Sequence, residues 1–158
     1  MSQDTGIVFQ ALETELVDGW RRGQPDANGQ PAERKISDGT GTPCRHCMEM
    51  IEAGAPYLVL AHRPFPDLQP YAETGPIFVH AEECPRGGGS SLPAFLASTH
   101  YIVRGYGADN RIVYGTGGVV ETGRIGARAS ELLDMDTIRY VHVRSAQNNC
   151  YHCRVERD

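Results

Sequence analysis

The sequence predicts a single α+β domain, mainly antiparallel sheet with a few short helices and a small cysteine knuckle suited to a metal ion. Three observations carry that expectation. Short apolar runs bounded by turn residues crowd the second half of the chain, few segments show helical spacing, and Cys44-Arg45-His46-Cys47 is followed by His80 and Cys84.

In chain order, Ile7-Val8-Phe9 reads as a short strand. Leu12, Leu16 and Trp20 then recur at helical spacing with Val17 beside them, which predicts a helix of about three turns. Glu13 and Glu15 near its start, Arg21 and Arg22 near its end, and Gly23 as a cap all suit the helix dipole and helix termination. Glycines and prolines punctuate residues 23–43, which predicts a loop or arm; within it Asp26-Ala27-Asn28-Gly29 reads as a turn, because the further acidic ligands of a calcium loop are missing. Residues 57–61 and 77–79 read as strands able to pair as a hairpin, joined by an irregular excursion that Pro64, Pro66, Pro70 and Pro76 enforce. The glycine-rich 86–91 stretch reads as a flexible linker, and 93–98 as a short helix. Residues 101–106 and 111–114 flank a turn-forming Gly107-Ala108-Asp109-Asn110 and predict a hairpin. Ile125, Ala129, Leu132 and Leu133 mark a helix face, and 138–144 with 150–155 predict a last hairpin around Gln147-Asn148-Asn149.

A chain of 158 residues, 40% apolar and 22% charged, buries roughly two-thirds of its unfolded surface and needs no covalent staples. Its net charge of −5 and scattered basic residues argue against capture of nucleic acid, which asks for clustered cations. Residues 1–5 lack a basic region followed by an apolar core, and no apolar run approaches a membrane span, so a cytoplasmic protein is expected. Five cysteines cannot all pair within one chain, and a C-x-x-C in a cytosolic setting favours metal or redox use.

A C-x-x-C turn puts two thiolates on one side of a tight knuckle, and His80 and Cys84, four apart, share a face if a helix starts there. The set Cys44, Cys47, His80 and Cys84 suits tetrahedral zinc. Knuckle, hairpin and then helical ligands is the order of treble-clef zinc modules, which this 44–84 subregion resembles; it departs from them in having no glycine after Cys47 and H-x-x-x-C in place of H-x-x-C. With all four ligands engaged the site is structural, with His46 and His62 as spare ligands. A four-cysteine site joining Cys150 and Cys153 is disfavoured, since residues three apart on a strand point to opposite faces. The same Cys44/Cys47 pair has the C-x-H-C form of some disulfide oxidoreductases, but Gly39-Thr40-Gly41-Thr42-Pro43 precedes it where such enzymes place a strand.

A second constellation lies on the late strands. Alternation puts Tyr140, His142 and Arg144 on one face of one strand and Arg104 and Tyr106 on one face of another; if these faces adjoin, they offer guanidinium and phenol donors to a carboxylate or phosphate. The rival reading of these residues is a half-buried sheet face.

The phrases Pro43-Cys44-Arg45-His46-Cys47, Arg63-Pro64-Phe65, Tyr71-Ala72-Glu73-Thr74-Gly75-Pro76-Ile77-Phe78-Val79-His80, Arg104-Gly105-Tyr106 and Tyr140-Val141-His142-Val143-Arg144 together resemble domain-of-unknown-function family 1203, short bacterial proteins of about this length. The resemblance spans nearly the whole chain and implies a bacterial single-domain protein; it transfers no activity, cofactor or site residue. The expected function is that of a small cytosolic protein with a structural zinc site and a binding role toward a small molecule or a protein, not toward nucleic acid or membrane. The alternative is an enzyme, using either the Cys44/Cys47 thiols in redox chemistry or the arginine, tyrosine and histidine face for a small anionic substrate.

Overall fold

The computed structural model describes residues 6–158; the reading of residues 1–5 lies outside them. Strand β1 (Ile7–Gln10) buries Ile7 and Phe9 and turns Val8 and Gln10 outward, the alternation of a half-buried strand. Helix α1 (Thr14–Arg21) carries Glu15 in its first turn and Arg21 in its last, and Gly23, at φ +98°, lets the chain leave it. Its buried face is Val17, Gly19 and Trp20, while Leu16 points to solvent, so the apolar stripe is narrower than the sequence spacing implied.

The 23–43 arm contains a strand that its sequence does not announce. β2 (Glu33–Ile36) is exposed along its whole length and pairs antiparallel with β3 (Pro56–His62), which pairs in turn with β4 (Gly75–His80) in the expected hairpin. Glu-Arg-Lys-Ile has no alternation to read, because an edge strand buries neither face, and its charges discourage edge-to-edge pairing. Asp26 makes its turn through Oδ1, which accepts the N–H groups of Asn28 and Gln30, while Oδ2 accepts that of Ala61 and so ties the arm to β3.

The larger sheet has the order β5-β1-β9-β8-β6-β7, antiparallel throughout, with β5 (Gly88–Gly89), β6 (His100–Tyr106), β7 (Gly118–Glu121), β8 (Tyr140–Ser145) and β9 (Tyr151–Arg157). Three expectations change here. The supposed linker supplies β5, which pairs with β1. Residues 93–98 form a turn, not a helix, closed by Leu96 N–H on Pro93 O and anchored by Phe95 N–H on Met48 O. The 107–110 turn forms, but 111–114 meets β6 only at one bridge, Tyr106 to Ile112, and the strand that pairs with β6 on the side away from β8 is β7. Thr116 explains the detour: its hydroxyl accepts Gly105 N–H and donates to Val113 O, so the chain loops outward before returning as β7.

One face of this sheet buries Val103, Val141, Val143 and Val155 against Ile125, Ala129, Leu132 and Leu133 of α2 (Ile125–Leu133), the helix face read from the sequence. The other face is aromatic and basic, and the 63–74 segment joining β3 to β4 lies over it. A second core packs α1 and the cysteine knuckle against the smaller sheet through Val17, Trp20, Cys44, Cys47, Ile51, Leu58, Leu60, Ile77 and Val79.

Candidate metal centre

The knuckle is built by its backbone. Cys44 N–H donates to Glu49 O, Met48 N–H donates to Cys44 O, and Pro43 bridges to Met50, so the chain doubles back within eight residues and brings both cysteines to one side. The turn needs a left-handed residue after Cys47. Met48 takes that role at φ +63°, a conformation that costs a side-chain-bearing residue about 1 kcal/mol or more, and its buried side chain in the main core holds it there. Between the cysteines, Arg45 is almost fully buried; its Nε donates to Tyr151 O at 2.8 Å and one terminal nitrogen donates to Pro43 O at 2.9 Å, fastening the knuckle to β9.

His80 is the last residue of β4, and Cys84 sits in the turn that follows. The helix expected to carry this pair does not form. Ala81 N–H stays in the sheet, donating to Pro56 O, and Pro85 disfavours helical backbone at Cys84, so a turn covers the four-residue separation instead. Cys44 Sγ and Cys84 Sγ lie 4.0 Å apart, Cys47 Sγ and His80 Nδ1 3.5 Å apart, and all four ligand atoms lie within 4.8 Å of one another. A tetrahedral ion with metal–sulfur bonds of about 2.3 Å has sulfur–sulfur edges of about 3.8 Å. The residues present therefore fit a metal ion.

The surroundings fit it too. His80 Nε2 lies 3.2 Å from the Glu52 carboxylate, which orients the ring and leaves Nδ1 facing the thiols, the way carboxylates commonly support metal-binding histidines. The Arg21 guanidinium donates to Cys84 Sγ at 3.3 Å, and the main-chain N–H of His80 donates to Cys44 Sγ at 3.3 Å, so one cation and one amide donor face the sulfurs. Among the three thiols, bonds donated by Cys47 and Cys84 push Cys44 far below the ordinary thiol range, and those same bonds to Cys44 raise the other two. His46 is buried beside the cluster, Nδ1 at 3.1 Å from Cys84 Sγ and Nε2 at 2.8 Å from the Thr14 hydroxyl, whereas His62 is remote, packed between Trp20 and Tyr151. Cys150 and Cys153 are not brought to the cluster: Cys153 belongs to the main core, where burial pushes its thiol up to about 12, and the Cys150 thiol faces Asn148 O.

The family of proteins of unknown function DUF1203 matches this chain over residues 41–157. The chain belongs to that family. The matched span holds all four candidate ligands and Glu52 but not α1, so Arg21 comes from outside it. Comparison with curated proteins and with solved structures found no match.

The second constellation of this DUF1203 chain also comes together. Register pairs Arg104 with His142 and Tyr106 with Tyr140, and Arg144 follows two residues along the same face. The face is packed rather than open. Tyr106 and Tyr140 stack at 5.2 Å, His142 lies 4.5 Å from Tyr106, and Phe65 from the covering segment seats on both Tyr106 and His142. Arg104 Nε donates to the Tyr106 hydroxyl, one terminal nitrogen of Arg144 lies 2.9 Å from His142 Nδ1, and burial holds His142 well below its usual pKa, hence neutral. What the sequence did not single out is Glu73, whose carboxylate reaches both arginines, together with Asn149 and Tyr151 beside them. Glu52 and Arg21 were missed at the metal centre. No periodic pattern marks any of these, because each acts across more than 25 residues of sequence.

Proposed function

We propose that this DUF1203 chain is a cytosolic binding protein in which Cys44, Cys47, His80 and Cys84 hold a structural zinc ion. The observation that carries the reading is the His80 ring, held by Glu52 on one nitrogen and facing Cys47 with the other, inside a set of three sulfurs. Three thiolates and one imidazole are a donor set zinc accepts, and four protein ligands fill a tetrahedron with no position left for water. The bound ion would supply cross-linking, not Lewis-acid chemistry. The chain's own residues supply the rest: the knuckle, the end of β4 and, through Arg21, helix α1 converge on one point at the base of the β3–β4 hairpin. That base fixes where the 63–74 segment lies on the aromatic face, and this face is the seat we assign to the binding role. Five cysteines with no disulfide among them support a reducing compartment. Among the described residues no helix is long and apolar enough to cross a membrane.

The rival reading, a Cys44/Cys47 dithiol in redox exchange, asks for an accessible thiolate; Cys44 is fully buried and Cys47 is 9% exposed, which supports the clamp instead. Elemental analysis of protein never exposed to chelator is expected to give about one zinc per chain, with a lower Tm after chelation; less than about 0.3 per chain rejects the reading. Thiol titration of the metal-loaded chain is expected to find Cys44, Cys47 and Cys84 protected, whereas a reversible Cys44–Cys47 disulfide would favour the enzyme.

A further inference from the structure

Glu73 is placed as a ligand would be. Oε1 accepts from a terminal nitrogen of Arg104 at 2.9 Å, and Oε2 accepts from Asn149 Nδ2 at 2.8 Å and from a terminal nitrogen of Arg144 at the long distance of 3.5 Å. Its side chain is 37% exposed, while that of Arg144 is 3% exposed. Arg144 also donates to Asn149 O and to His142 Nδ1, but its Nε finds no partner among the described residues, and neither do Asn149 Oδ1 and His142 Nε2. A buried guanidinium N–H without an acceptor is costly, so its persistence marks a place where another acceptor belongs. Charge points the same way. Two guanidinium groups face one carboxylate, and the neighbouring Arg154 is already engaged by Glu156 and the Tyr140 ring, leaving one positive charge in excess. Beside this group a cavity of about 200 Å³ is lined by His62, Pro64, Glu73, Arg144, Asn149 and Tyr151. An apolar cavity of about 150 Å³ takes benzene, so this one admits a body of roughly six to nine heavy atoms.

We propose that Glu73 is an exchangeable occupant of a site for a small organic monocarboxylate. The ligand's carboxylate takes the place of the Glu73 carboxylate between Arg104, Arg144 and Asn149; its apolar body lies among Pro64, His62 and Tyr151. Displacement moves the covering 63–74 segment, which carries Glu73. A carboxylate is favoured over phosphate because the group now held there is a planar carboxylate. The proposal deepens the assignment of the binding role to this face; it does not depend on the identity of the metal.

The test is calorimetric titration and thermal shift of the full metal-loaded chain with sodium benzoate, benzyl alcohol, inorganic phosphate and sodium chloride at constant ionic strength. Saturable benzoate binding is expected, absent with benzyl alcohol and chloride, and about tenfold or more tighter in Glu73→Gln, which keeps the shape and removes the competing charge. Adding Arg104→Met to Glu73→Gln is expected to reverse that gain. Equal benzoate affinity in wild type and Glu73→Gln within about twofold, an equal response to benzyl alcohol, a preference for phosphate, or no saturable response in either protein overturns the proposal. Should Glu73→Gln fail to fold, the wild-type titration decides alone. Zinc is quantified on the same samples, so benzoate binding by a metal-free chain overturns the clamp and spares the site, and a zinc-loaded chain deaf to benzoate does the opposite.

Discussion

Glu52 is exposed and touches the candidate metal centre only through His80 Nε2, so its removal separates metal affinity from packing. Glu52→Gln is expected to weaken zinc binding by about tenfold to a hundredfold while leaving the metal-loaded Tm nearly unchanged. Competition with a chromophoric chelator measures it, and an affinity within about twofold of wild type would show that the ring is oriented without the carboxylate. Arg45 poses the opposite case. Burial lowers its pKa to about 10, yet it remains charged at neutral pH, and it serves two main-chain carbonyls that tie the knuckle to β9. Arg45→Met removes those donors from a dry site and is expected to cost about 2–4 kcal/mol, read from the denaturant midpoint at unchanged slope.

At the scale of elements, the knuckle leans on the chain that returns past it. Gly87 N–H donates to His46 O, and a Cβ on Gly87 would lie 2.4 Å from Cys47 O and 2.7 Å from its carbonyl carbon. Neither atom can yield without moving a ligand. Gly87→Ala is therefore expected to destabilise by about 1–3 kcal/mol and to weaken metal binding together with it; a variant that loses stability but holds zinc as tightly as wild type would show that the knuckle moves as a rigid unit. Elements with an internal pattern were legible from the sequence: α1, α2, β1, β3, β4 and β9 each bury a recognisable face, and β8, buried on both, alternates valines with larger polar side chains. β2, β5 and β7 were not, because Glu-Arg-Lys-Ile, two glycines and Gly-Val-Val-Glu show no alternation of apolar and polar residues and become strands only when a neighbour offers its edge. The turn at 93–98 misled for a related reason: Phe95 and Leu96 are buried by what they pack on, not by a helical repeat.

Away from the candidate metal centre, three histidines are held in the neutral form: His142 well below its usual value, His62 at about 4 and His152 at about 3, each chiefly by burial. Unfolding returns them to about 6.5, so below that pH the unfolded chain binds more protons and stability falls as pH falls; above it their contribution is complete. The loss is up to about 1.4 kcal/mol per pH unit for each histidine between pH 6 and about 4. Measured across that range, the slope of unfolding free energy against pH is expected to drop by about one histidine's share in His152→Phe, whose ring sits edge-on to Phe95 and Tyr101. An unchanged slope would mean that His152 is protonated in the folded chain.

The sequence alone determined the class of fold, the periodic elements and the four residues that meet at the candidate metal centre, since these depend on spacing within a turn, a strand or a hairpin. Tertiary structure decided what surrounds them. Pro85 and the Ala81–Pro56 hydrogen bond replaced the expected helix with a turn, Arg21 came from a helix 63 residues away to face Cys84, and Glu73 closed over two arginines that strand alternation had only placed on one face. Such groups act at long sequence separation through burial and charge, and neither leaves a local period for a sequence to show.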